Sequence, residues 1–241
     1  MIYLWYRMIL RYGVKITFGE AWYIYTKAAL IRYIPGNVWG LAAKAYMIYR
    51  LGLKKSETIF IIIFESAILV FSGIVVYFLT MIQKGGFLIN IIMCIMGILL
   101  FIFIVYPRFF LKILHLFYKD IAIRTLPPIF LIKLLVGYLV YWFIYGISFW
   151  YLIRSITFIS NYNIFIVIGI FAISWVIGFL SLVTPSGLGV REISLIYLLG
   201  KFMTIPLATL ISLFARIVFI LGELISFALS LILRFKTRKD I

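Results

Sequence analysis

The residues of this chain best placed to do chemistry are charged side chains lying inside long apolar runs. Glu65 stands eight residues into the run from Glu57 to Leu79. Arg216 and Glu223 lie seven apart within Leu207 to Leu233, and Arg191-Glu192 follow directly on Thr184-Pro185-Ser186-Gly187-Leu188-Gly189-Val190. An ionised group at membrane depth costs about 3 kcal/mol on insertion scales, so it faces a bundle interior or a watery cavity. At 1.5 Å per residue Glu65 is about 12 Å deep, and its own helix offers no basic neighbour, so its partner comes from elsewhere. Arg216 and Glu223 share nearly one helix face two turns apart. They fit a buried ion pair, with each other or with neighbours, that lets a charged bundle assemble. Glu192 fits a carboxylate stabilising a helix N-terminus. The other use of these groups is a polar interior that receives a charged headgroup. Backbone N–H groups opening two half-helices favour an anion such as phosphate, and Lys44, Arg191 and Arg216 supply charge-assisted hydrogen bonds.

The elements that position these groups follow from composition. Of 241 residues 66% are hydrophobic and 12% charged, with mean hydropathy +1.20, against about 45–50% and about 25% in soluble domains. This is the composition of an integral membrane protein. Several runs reach the roughly 20 residues that a spanning helix needs, and the period-2 alternation of a barrel is absent. The expected fold is therefore all-α, a polytopic helical bundle forming one transmembrane domain over residues 1–241. The 23 Lys and Arg against 7 Asp and Glu sit at the ends of apolar runs rather than in one patch. They read as topology signals, with no nucleic acid as partner. Cys94 is the single cysteine and His115 the single histidine, the latter among interfacial aromatics, so neither metal nor cofactor is expected. The aromatics Tyr138, Tyr141, Trp142, Tyr145, Trp150 and Tyr151 read as interface belt and packing.

Along the chain, Met1 to Leu10 is a short apolar stretch without a cleavage site, an interfacial helix or the end of a preceding element. Phe18 to Ile34 is helical and stops at Pro35-Gly36-Asn37, where Asn37 can cap a second short helix, Val38 to Tyr49. Spans follow at Glu57 to Leu79, Phe87 to Tyr106 and Ile129 to Leu152, separated by Lys84-Gly85-Gly86 and by the basic segment Pro107 to Pro128. Ile164 to Val183, Leu188 to Met203 and Leu207 to Leu233 complete the chain. The basic clusters place the C-terminal tail, with Arg234, Lys236, Arg238 and Lys239, in the cytoplasm of a multi-pass protein of the cell membrane. The end of Ile129 to Leu152 then lies outside, and an odd number of inward crossings must follow. A helical pair broken at Pro185 that returns outward before Leu207 satisfies this count; so do three full crossings. Two Pro/Gly-broken helical hairpins in inverted orientation, re-entrant or fully crossing, point to a transporter with its site near the midplane.

Taken together, Tyr33-Ile34-Pro35-Gly36-Asn37-Val38-Trp39, Arg50, Gly52, Glu65, Thr184 to Glu192, Arg216 and Glu223 resemble the transmembrane, flippase-like family named after lysylphosphatidylglycerol synthetase. The resemblance covers essentially the whole chain, with serine at 186 where the family often has glycine. Members of that family have about two further helices ahead of the first motif, which this chain is expected to lack, and the resemblance implies a stand-alone membrane protein without the aminoacyl-transfer domain. It implies lipid translocation, with Pro35, Gly36, Trp39, Lys44, Glu65, Pro185, Gly187, Gly189, Arg191, Glu192, Arg216 and Glu223 as candidate substrate-binding residues. The expected substrate is an anionic or zwitterionic amphiphile, an aminoacyl-phospholipid or a polyprenyl-phosphate-linked sugar, drawn from the lipid bilayer. Two alternatives stand beside a translocator. One is a non-transporting partner of a lipid-synthesising enzyme or glycosyltransferase. The other is an intramembrane enzyme acting on a lipid phosphate, against which the serines have no neighbouring base in sequence. The chain is therefore read as no enzyme.

Overall fold

The computed structural model describes residues 1–34, 38–81, 126–158, 164–181 and 184–239, with side chains as far as Arg234. Among the described residues all regular structure is helical. The elements are α1 (Ile2–Arg11), α2 (Phe18–Ile31), α3 (Trp39–Tyr49), α4 (Lys55–Met81), α5 (Pro128–Ile156), α6 (Ile164–Leu180), a 3-10 turn (Pro185–Gly187), α7 (Val190–Leu199) and α8 (Ile205–Lys239). The expected span Phe87 to Tyr106, most of the basic segment after it, Cys94, His115, Asn37 and the break residues Pro35 and Gly36 lie outside the described residues.

Local sequence accounts for the ends of these helices. The hydroxyl of Thr17 accepts from the Glu20 N–H at 3.3 Å while the Glu20 carboxylate accepts from the Thr17 N–H at 2.9 Å, a reciprocal cap that starts α2. Pro127-Pro128 starts α5, since proline is preset for the first turn and has no N–H to leave unpaired. Helices α4, α5 and the Ile205–Arg234 part of α8, of 27, 29 and 30 residues, are long and apolar enough to cross a membrane. The other helices are shorter. α6 has 17 residues and α7 only 10.

α6 is the central element, packed between α4 and α5 and against α7, while α8 bridges α7 to α2 and α2 packs on α3. Water expulsion does not drive helix association inside a bilayer, so close backbone approach at small residues matters more. Gly73 of α4 lies against Val176 and Trp142, and Gly146 of α5 against the backbone of Ile168. Trp142 is fully buried there, and its indole N–H donates to Ser72 Oγ at 2.9 Å. α1 has one buried and one exposed face, with Tyr3 and Leu10 on the exposed side. Trp5, Met8 and Ile9, one helical face, are buried against α2, α4 and α5.

Candidate functional site

The helices line a half-open cavity of about 340 Å³ to which every described helix contributes. Its wall is chiefly apolar and aromatic, with Tyr141, Tyr145, Phe171, Trp175 and Phe219 among its residues. Into this wall are set three cations, Arg32, Lys44 and Arg191, and two carboxylates, Glu65 and Glu223.

In two helix pairs, α2 with α3 and α6 with α7, an arginine of one helix packs on a glycine of the other. At the end of α2, Arg32 lies so close to Gly40 of α3 that a Cβ at Gly40 would come within 2.7 Å of the Arg32 Cβ. In the second pair the order is reversed: Gly178 belongs to α6, before the break, and Arg191 to α7, after it, with a corresponding distance of 2.8 Å. Both guanidinium groups then reach the ring of Phe219 on α8, at 5.7 Å for Arg32 and 4.7 Å for Arg191. The turn that allows this is tight. Ser186, Gly187 and Gly189 all have positive φ, and a Cβ on Gly187 would strike the backbone of Gly178.

The ionic partners divide along the same lines. Glu65 of α4 accepts from Lys44 of α3 at 2.5 Å, both groups buried. Glu223 of α8 pairs with Arg32 and accepts from the Tyr33 hydroxyl at 2.9 Å. Arg216, seven residues earlier on α8, lies 3.6 Å from Glu192 of α7, too long for a hydrogen bond. Arg216 and Glu223 are thus paired with different helices and not with each other. Glu192 also accepts from the Gly189 N–H at 2.7 Å, so it caps α7 as its position implied. Arg216 Nε and Nη2 and Glu192 Oε1 are buried with no hydrogen-bond partner among the described residues. Arg191, 5% exposed, makes no ion pair there and is held over Phe171 and Phe219 instead.

No family model, curated protein or solved structure matches this chain. Its chemistry is therefore read from the side chains themselves.

Of the twelve residues selected from sequence, Lys44, Glu65, Arg191 and Glu223 line the cavity. Glu192 and Arg216 form the loose pair beyond that lining. Pro185, Gly187 and Gly189 shape the turn without lining it, Trp39 is exposed at the first position of α3, and Pro35 and Gly36 are outside the described residues. Arg32 is the residue that sequence reading missed. Its signal was available: it is the last charge before the Pro-Gly break. Tyr141 and Tyr145 were read as belt or packing, yet they line the cavity, whereas Tyr138, Trp142 and Trp150 are buried packing and Tyr151 is exposed. Among the described residues no three of His, Cys, Asp and Glu come together as a metal would require.

Proposed function

We propose that the chain is a flippase-like translocator that takes the headgroup of an anionic or zwitterionic amphiphile into this cavity while the lipid tails stay in the bilayer. The observation that carries the reading is Arg191, a buried guanidinium on the cavity wall with aromatic neighbours and no acid partner among the described residues. A buried cation without a counter-charge is costly, and a ligand phosphate supplies that counter-charge through paired N–H donors. The size is in keeping, since about 340 Å³ lies within the usual range for small-molecule sites of about 300–1,000 Å³ and suits a headgroup rather than a whole lipid.

The resemblance to the lysylphosphatidylglycerol synthetase transmembrane family supports the same function, with an aminoacyl-phospholipid or a polyprenyl-phosphate-linked sugar as substrate. Binding is favoured over covalent chemistry by three of the wall's four serines, the fourth being Ser186 of the turn. Ser66 and Ser148 donate to backbone carbonyls of their own helices, and Ser226 accepts from Trp22. None of the three is held by a base.

Purified protein in vesicles carrying a headgroup-labelled fluorescent phospholipid tests the proposal. Translocation is expected to be protein-dependent and to fall at least about tenfold on Arg191→Met, the scale of one charge-assisted contact. Chemically altered lipid would instead indicate an enzyme. Lipid that neither moves nor changes would indicate a partner of a lipid-synthesising enzyme or glycosyltransferase.

A further inference from the structure

One end of the cavity has the composition of an ammonium receptor. The rings of Trp5 and Tyr25 stand edge to face, 5.5 Å apart with an interplanar angle of 71°, and so form two walls of a corner. The carboxylate of Glu65 closes a third side. Such a set, two electron-rich faces and one negative charge in a desolvated place, is what alkylammonium ions bind. Here the corner holds the protein's own ammonium: Lys44 Nζ lies 3.8 Å from the Tyr25 centroid, 4.7 Å from the Trp5 centroid and 2.5 Å from Glu65 Oε2.

The origins of these groups are informative. The walls come from α1, α2 and α4, whereas the occupant comes from α3, an 11-residue helix. Lys44 is therefore free to leave without removing a wall. A lysine suits this role, because its charge is a compact point on a flexible four-carbon stem, where a guanidinium would be a rigid fork. Tyr25, Glu65 and Lys44 also line the cavity, so a displaced side chain and an incoming ligand share one space.

We propose that Trp5, Tyr25 and Glu65 form a binding site for a primary alkylammonium group, and that Lys44 is its built-in occupant, displaced when an ammonium-bearing solute or headgroup enters. The inference rests on reading the cavity as a ligand site. It adds what binds at this end and what must move first.

The test is chemical complementation of the purified protein, read by tryptophan fluorescence and by the unfolding midpoint. Lys44→Ala removes the stem and ammonium, and n-propylammonium replaces them. Saturable binding is expected on this variant, with a higher unfolding midpoint, and none with n-propanol, which has the size but not the charge. Wild-type protein should bind at least about tenfold more weakly, because the tethered ammonium competes at high effective concentration. Adding Tyr25→Leu should weaken binding by about 30-fold, the worth of one desolvated cation–π contact, and adding Glu65→Gln should abolish it. Where Lys44→Ala does not fold, Lys44→Leu with methylammonium is the equivalent pair. Propanol acting as well as propylammonium, or no saturable binding to a folded variant, overturns the cage. Lipid translocation by wild-type protein is measured separately. If ammonium binding holds and translocation is absent, the cage stands and the translocator reading fails; the reverse result removes the cage alone.

Discussion

At the scale of single residues, the buried charges differ in what they lose when changed. Glu65→Gln leaves Lys44 charged and uncompensated at a site where both groups are under a tenth exposed. The expected cost is about 3–5 kcal/mol, seen as a lower unfolding midpoint in detergent, and the double change Lys44→Met with Glu65→Leu should recover most of it. Arg191→Met should behave oppositely. With no carboxylate partner to orphan among the described residues, it leaves the midpoint unchanged or raised while translocation falls, and a loss of stability matching that of Glu65→Gln would show a structural pair instead. Ser186 sits at φ 52°, a conformation that L-residues resist. Ser186→Gly should therefore stabilise the protein by about 1 kcal/mol, measurable in the same assay. Much of this was legible in sequence, because a charge within an apolar run is conspicuous whatever the fold. Which charge meets which was not. Seven residues put Arg216 and Glu223 on one face of α8, but only the packing of α7 and α2 on either side gives each its own partner.

At the scale of elements, the long helices were legible because apolar length alone specifies them, and their ends moved by only a few residues: Glu57 to Leu79 is observed as Lys55–Met81, and Leu207 to Leu233 as Ile205–Lys239. The short helices behaved differently, since their apolar residues blur into the loops on either side. Leu188 to Met203 contracts to the ten residues of α7, and α6 ends at Leu180, short of the expected Val183. What no periodicity could disclose is the glycine-to-arginine contact that closes each broken pair. It depends on helices from opposite sides of a break coming within a Cβ radius of each other. Gly40→Ala and Gly178→Ala each place a methyl within 3 Å of an arginine Cβ, an atom fixed by its backbone. Each should cost about 1–3 kcal/mol as overpacking and push an arginine off Phe219. Reduced translocation in both variants, with ammonium binding kept when each is combined with Lys44→Ala, is the expected pattern. An effect on stability without any on translocation would mean that the contacts serve assembly only.

At the scale of the whole molecule, the open matter is how the bundle lies across the bilayer, and charge and geometry constrain it together. The basic residues that end α8, Arg234, Lys236, Arg238 and Lys239, resist export, so α8 should end in the cytoplasm. If α5 ends outside, the segment from α6 to α7 must return to the outside before α8 enters. A 10-residue α7 reaches only about 15 Å, half of the hydrocarbon thickness of about 30 Å. α7 alone is therefore too short to cross, and the proposed re-entrant pair predicts that a 17-residue α6 goes in and that α7, after the turn at Ser186, Gly187 and Gly189, comes back. Sidedness labelling in a Cys94→Ser background puts this to a direct test. Single cysteines at Thr157, after α5, and Thr204, between α7 and α8, should both react in intact cells with a membrane-impermeant maleimide, and one at Thr237 only after permeabilisation. Reaction at Thr204 confined to permeabilised cells would place the α7–α8 connection inside. α8 would then carry its basic tail outward, against the charge rule, and the proposed inverted orientation of the two helical pairs would fail.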